Sequence, residues 1–281
     1  MFTINCSGTL HEFTKPVVMG ILNITDNSFY NQNLKGIDAI LQKAQQMLYE
    51  GADILDIGGQ STRPGSSRIS AKQEIEKIIP VIKSITKNHP NALLSVDTYH
   101  SEVAVAACGE GVAIVNDISG GTMDTEMIKT VGRLNVPYIC MHIQGTPETM
   151  QTQNIYDDII VDILKYFSRK IQECYDAGIK DIILDPGFGF AKNIQQNLFV
   201  LSRLKIFSVL NKPLLAGISR KSTIYKTLNI SADEALNGTT CLNTVALLNG
   251  ASILRVHDVK EAVETCKLTE ALKKAAGGQP S

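Results

Sequence analysis

Four residues of this chain, Asp97, Asn116, Asp185 and Lys221, are of the types that read the edge of a planar, nitrogen-rich ring. A carboxylate accepts two parallel N–H bonds from an amino-pyrimidinone, a side-chain amide offers a donor and an acceptor, and an ammonium only donates. Arg63, Arg255 and His257 are anion binders, and a guanidinium fork suits phosphate oxygens bidentately. The run Ser219-Arg220-Lys221-Ser222 stands before a helical stretch, where backbone N–H groups can hold an anion. These types imply a flat heterocycle and an anion, as two ligands or as two parts of one.

Such residues need elements that bring them together. Short apolar runs occur at Val17–Leu22, Ile54–Ile57, Leu93–Val96, Ala113–Val115, Tyr138–Met141, Ile182–Leu184, Leu214–Gly217 and Ile253–Val256. Most are separated by amphipathic helical segments, such as Ile37, Ile40, Leu41, Ala44, Met47 and Leu48, or Ile159, Ile160, Ile163, Leu164, Phe167 and Ile171. Alternating strands and helices imply crossovers and a parallel sheet. A Gly precedes several strands (Gly51, Gly111, Gly178 and Gly250), where a helix stops in the left-handed conformation. A recurring unit of this kind points to a closed eight-stranded (β/α) barrel, a TIM barrel, rather than an open sheet.

In that fold the chemistry lies at the C-terminal ends of the strands. The residues that end or follow the eight runs are Asn23, Asp56, Asp97, Asn116-Asp117, His142, Asp185, Ser219-Arg220-Lys221, and Arg255 with His257. Any one of these could be a helix cap or a solvated loop residue; a polar group from every strand at one rim reads as a site. His142 has no ligand partner nearby in sequence and is expected to pack or line the pocket. Two glycine-containing loops, residues 58–65 and 185–190, are of the kind that closes over a substrate, although a lone glycine more often serves a tight turn.

The whole chain bounds this reading. Its 281 residues are 44% hydrophobic with a formal net charge of -1, which gives no basic bias toward nucleic acid or membrane surfaces. No run is long and apolar enough to span a bilayer, and the N-terminus does not read as a secretory signal. The six scattered cysteines lack C-x-x-C or zinc spacing and read as buried, reduced thiols of a cytoplasmic protein. Phe2–Cys6 and Leu10–Phe13 read as a β-hairpin that could cover the barrel bottom. The organisation is therefore hairpin (1–16), barrel (17–274) and a small polar tail (275–281) expected to be disordered.

Seven segments, in order, resemble the dihydropteroate synthases of the pterin-binding barrel family. They are Met19-Gly20-Ile21-Leu22-Asn23-Ile24-Thr25, Asp56-Ile57-Gly58-Gly59-Gln60-Ser61-Thr62-Arg63-Pro64-Gly65, Ser95-Val96-Asp97-Thr98 and Asn116-Asp117-Ile118-Ser119-Gly120-Gly121. Asp185-Pro186-Gly187-Phe188-Gly189-Phe190, Gly217-Ile218-Ser219-Arg220-Lys221-Ser222 and Arg255-Val256-His257-Asp258-Val259 complete the series. The resemblance implies a transferase of folate biosynthesis. Such an enzyme joins 6-hydroxymethyl-7,8-dihydropterin pyrophosphate to 4-aminobenzoate and releases pyrophosphate, with Mg²⁺ as cofactor and sulfonamides as competitors. By the same resemblance Asp97, Asn116, Met141, Asp185 and Lys221 hold the pterin. Thr62, Arg63, Pro64, Phe190, Ser219 and Ser222, with Lys221, face the aminobenzoate. Asn23, Arg63, Arg255 and His257 take the pyrophosphate, with Asn23 on the metal, and Asp97, Asp185, Lys221 and Arg255 carry the catalysis. Family members are commonly homodimers, and the apolar faces of residues 233–249 and 259–274 would suit such a contact.

The chain departs from the family pattern at several places. Asp26 stands where Pro is usual, Asn27 and Asn31 where two acids are usual, Ala191 for Gly and Gln196 for His. Losing two carboxylates beside a cationic transition state and a metal should weaken both, and Asn27→Asp is expected to raise turnover. The competing readings are a non-catalytic pterin-binding paralogue, which the altered first loop favours, and a folate-dependent methyltransferase domain. The second would need neither the 62–65 and 219–222 segments nor Arg255 and His257.

Overall fold

The computed structural model describes residues 2–6, 8–24, 34–60, 68–145 and 155–277. Strands β1 (Phe2–Cys6) and β2 (Thr9–Phe13) form an antiparallel hairpin. The eight parallel strands are β3 (Val17–Asn23), β4 (Ile54–Gly58), β5 (Leu93–Asp97), β6 (Ile114–Asp117), β7 (Tyr138–Met141), β8 (Ile182–Asp185), β9 (Leu215–Ala216) and β10 (Ile253–Val256). The ladder runs β8-β7-β6-β5-β4-β3-β10-β9, and a parallel bridge between Leu184 and Leu214 joins β8 to the start of β9, closing the barrel.

The outer ring comprises α1 (Leu34–Tyr49), α2 (Ala71–Asn88), α3 (Ser101–Gly109), α4 (Met127–Leu134), α5 (Ile159–Asp176) and α6 (Ile194–Ser202). It continues with a 3-10 turn (Leu204–Leu210), α7 (Ser222–Leu228), α8 (Leu236–Leu248) and α9 (Val259–Gly277). Gly51, Gly111, Gly178 and Gly250 all have positive φ, between +87° and +100°, so the repeated helix stop is real.

Side chains alternate across a strand, so every second residue points into the barrel. Met19, Ile54, Leu93, Ile114, Ile139, Ile183, Leu215 and Ile253 form one buried apolar cluster inside it. Ile4 and Cys6 of the hairpin join that cluster, and the Asn5 amide donates to Asp181, which precedes β8, at 2.9 Å. The hairpin thus plugs the N-terminal end. Two residues further along, the inward positions of four strands change character: Ile54 gives way to Asp56, Ile114 to Asn116, Ile183 to Asp185 and Ile253 to Arg255.

Most strands end a residue or so away from the runs read in the sequence, and three boundaries have a clear physical reason. The run expected at Ala113–Val115 is a strand at Ile114–Asp117, because polar Asn116 and Asp117 still pair with β5 or β7. The helix expected from Asp233 starts at Leu236, since Glu234 instead accepts bonds from the Ser231 amide and hydroxyl. The last helix continues to Gly277, so Ala275–Gly277 are helical rather than disordered, and residues 278–281 lie outside the described set.

Candidate active site

The polar layer is tied together by charge. Asp56 is completely buried and its Oδ2 accepts from Arg255 Nε at 2.6 Å and from Asn116 Nδ2 at 2.9 Å. Arg255 Nη2 donates to Asp97 Oδ2 at 2.5 Å. Asp97 and Asn116 are ladder partners on β5 and β6, which places them side by side. Burial raises the Asp97 carboxyl, Arg255 opposes that rise, and Asp56 adds to it. Burial also works against the charge of Arg255, but Asp56 and Asp97 more than restore it. One guanidinium therefore neutralises much of two buried carboxylates, an arrangement that is costly to break by removing a partner. Asp56 was expected at the rim without a role; its signal was a charged residue inside an otherwise apolar run.

The second cluster surrounds the loop after β8. Asp185 Oδ1 accepts from the Gly187 amide at 2.7 Å. Burial raises the Asp185 carboxyl, and Lys221 and the Gly187 amide oppose the rise. Lys221 donates to the Phe188 carbonyl, and its ammonium lies 4.6 Å from the centroid of the Phe190 ring. Burial lowers Lys221 to about 8 despite the neighbouring Asp185. Phe190 and Met141, expected on different ligands, share one buried apolar wall with Tyr99, Ile118, Ile143 and Ala191. Ala191 has φ +47°, a left-handed conformation that Gly adopts freely, so the family's usual Gly has a local explanation. Gln196 completes a reciprocal capping box with Asn193 at the start of α6.

The third group lies at the ends of β3, β9 and β10. Asn23 is exposed at the end of β3 and lines the same cleft as Asp97, Phe190, Ser219, Lys221, Ser222, Arg255 and His257. Ser219 is buried, and its Oγ lies 3.0 Å from His257 Nδ1 while accepting from the His257 amide at 3.2 Å. Ser219 is thus coupled directly to the anion side. Burial, then Arg255, lowers His257 to about 4, which leaves it neutral at pH 7. Arg220 is committed elsewhere: its fork clasps Asp258 at 2.8 Å through both Nε and Nη2. His142 is buried among Tyr156, Tyr166 and Phe167, as expected of a packing residue. Thr62, Arg63, Pro64, Asp26, Asn27 and Asn31 lie outside the described residues.

The decisive arrangement is three inward carboxylates, an amide and two cations stacked on one apolar layer, beside an anion-facing rim. A profile of the family described as "Pterin binding enzyme" matches residues 19–257, which spans this entire layer. The chain belongs to that family. It is 40% identical to the dihydropteroate synthase of Escherichia coli K12, with 94% of each chain covered. It is 39% identical to the Bacillus subtilis dihydropteroate synthase, over 94% of this chain and 90% of that one. Among solved structures, the Yersinia pestis dihydropteroate synthase with a sulfonamide drug complex superposes with a TM-score of 0.90 at 36% identity, covering 98% of this chain and 100% of the other. The Xanthomonas albilineans dihydropteroate synthase with 4-aminobenzoic acid gives 0.89 at 32% identity, covering 96% and 98%. These family relationships and the residue geometry bear on one chemistry.

Proposed function

We infer that the chain joins 6-hydroxymethyl-7,8-dihydropterin pyrophosphate to 4-aminobenzoate, forming dihydropteroate and pyrophosphate in folate biosynthesis. The observation that carries the reading is the Asp56–Arg255–Asp97 bridge, with Asn116 on the same carboxylate and Asp185 beside Lys221. Asp56 Oδ1 is buried with no hydrogen-bond partner among the described residues. In the reaction the CH₂–O bond to pyrophosphate breaks, leaving a delocalised ring cation; the arylamine nitrogen bonds to that carbon and loses a proton. No strong nucleophile from the protein is needed. The site must hold the ring, stabilise its positive charge and position the amine.

Asp97 and Asp185 face the ring and favour its cationic form. Asn116 orients it, and Met141 and Phe190 form the apolar wall. Lys221 sits over Phe190 at the junction of the two substrates. Arg255 and His257 take the leaving group, His257 as a neutral donor until the anion's own charge raises its proton affinity. Ser219 fixes the His257 ring, Ser222 lines the aminobenzoate side, and sulfonamides compete there.

Magnesium fits this arrangement as a partner of the pyrophosphate. Asn23 offers one hard amide oxygen, and no cluster of three His, Cys, Asp or Glu stands among the described residues. Such a site suits an ion that arrives on phosphate oxygens and keeps most of its waters. Its chemistry when bound is charge neutralisation on the leaving group.

Two further features belong to the same reading. Leu248, Leu268 and Leu272 are exposed on α8 and α9, which favours a homodimer through those helices. The six cysteines are unpaired, as suits the cytoplasm, and no described helix is long and apolar enough to cross a membrane.

The test is pyrophosphate release by the purified chain, given the pterin pyrophosphate and Mg²⁺, with and without 4-aminobenzoate. Release that requires the arylamine and yields dihydropteroate is the expected result. Pterin binding without turnover would overturn it in favour of a non-catalytic pterin-binding protein.

A further inference from the structure

Lys192 has no part in the mechanism above, yet it is buried at the wall of the same cleft. It follows the loop of residues 186–191 and folds back beneath it. Its Nζ lies 3.2 Å from the Gly187 carbonyl, 3.2 Å from the Phe190 carbonyl and 3.1 Å from His142 Nδ1. Three acceptors match the three donors of an ammonium, whereas a neutral amine would turn a lone pair toward one of them. Lysine has no acceptor in its charged form, so His142 Nδ1 must accept, and burial followed by Lys192 lowers the His142 pKa well below normal, keeping the ring neutral. Burial also draws Lys192 itself down to about 7; Asp185 supports its charge and Lys221 opposes it.

Asn197 completes the anchorage. Its Oδ1 accepts from the Gly189 amide at 2.8 Å, while its Nδ2 donates to the Lys192 carbonyl at 3.0 Å. The loop is thus held at two places: by Lys221 on the Phe188 carbonyl, and by Lys192 and Asn197 on the backbone of Gly187, Gly189 and Phe190. Lys221 belongs to the substrate pocket, so its bond to Phe188 is one that a bound ring would compete for.

We propose that Lys192 is a positioning residue for the arylamine subsite, its ammonium seated on His142 and holding the Phe190 ring in place when Lys221 engages the pterin. This rests on the reaction proposed above. Of the pterin's partners, Asp97 and Asn116 lie on β5 and β6, apart from this loop, whereas Met141 and Asp185 adjoin it, so loss of Lys192 should fall chiefly on the arylamine.

The experiment compares the full chain with Lys192→Met and Lys192→Arg. Lys192→Met is expected to raise the KM for 4-aminobenzoate about tenfold, by misplacing Phe190, while the KM for the pterin pyrophosphate stays within about twofold. Lys192→Arg, which keeps a charge and donors, should recover part of the loss. Amide exchange over residues 186–191 should quicken in Lys192→Met and not at β5 or β6. Equal changes in both KM values, or none in either, would overturn the proposal. If Lys192→Met does not fold, Asn197→Ser is measured for the same split, and its absence there is equally fatal. Should the unaltered chain form no dihydropteroate, the proposed reaction has failed, and unchanged loop exchange in Lys192→Met would separately reject the positioning role.

Discussion

The two ends of the barrel use the same strands in opposite ways. At the N-terminal end, inward positions such as Ile54, Ile114, Ile183 and Ile253 close on the hairpin's Ile4 and Cys6. Two residues on, the same strands present Asp56, Asn116, Asp185 and Arg255. At about 25 cal/mol per Å² of apolar surface, the lower layer supplies stability. The upper layer spends some of it on desolvated charge, which its partners only partly offset. Stability and chemistry are thus separated by two residues along β4, β6, β8 and β10, and by four along β5.

Substitutions can break that comparison or sharpen it. The largest effect should come from Asp185→Ala, with turnover falling by about a thousandfold and little loss of melting temperature. Near-normal turnover would remove the charge-stabilising role of the upper layer. Ile4→Ala should do the reverse: it is expected to cost about 3 kcal/mol of unfolding free energy, read by denaturant titration, with kcat of the folded fraction unchanged. A fall in kcat would mean that the plug also shapes the mouth.

Asp56→Asn keeps a hydrogen-bonding shape but removes a charge from Arg255. Binding of the pterin pyrophosphate should weaken by roughly 2 kcal/mol, measured by calorimetry. Binding that stays intact would show that Asp97 alone suffices to hold the guanidinium.

The last of these effects concerns pH. Glu74 on α2 is buried and accepts from Thr98 Oγ1 at 3.0 Å. Burial raises it from 4.5 to about 7, the Thr98 bond opposing and Asp97 adding. The folded state therefore binds this proton more tightly than the unfolded chain does. Its contribution is complete below pH 4.5 and is lost as pH rises through 7, a loss on the order of 3 kcal/mol. Glu74→Gln should flatten stability over that window; an unchanged slope would place the titration elsewhere.

Much of this was legible in the sequence, for identifiable reasons. Strands that end in a charged or amide residue announce a parallel barrel with a working rim, because no water-free strand end keeps Asp97 or Asp185 without a use. Partner choice was not legible. Nothing in the spacing says that Arg255 pairs with Asp56, 199 positions away in sequence, or that Arg220 clasps Asp258 instead of a ligand. Lys192 was equally silent, since a lysine after a glycine-containing loop looks solvated until the fold buries it. Gly187 follows the same logic. A Cβ there would lie 2.1 Å from the His142 carbonyl, a contact between β7 and the β8 loop that only the closed barrel creates.

The hairpin plug also sets an order of events. Ile4 and Cys6 are synthesised before every barrel strand, yet the surface that buries them includes Ile253 of β10, and the Asn5 amide waits for Asp181. A segment made ahead of the barrel is therefore among the last to be seated. Until β10 arrives, Phe2, Ile4 and Phe13 travel as an unburied apolar ribbon, the part of the nascent chain with most to gain from a chaperone.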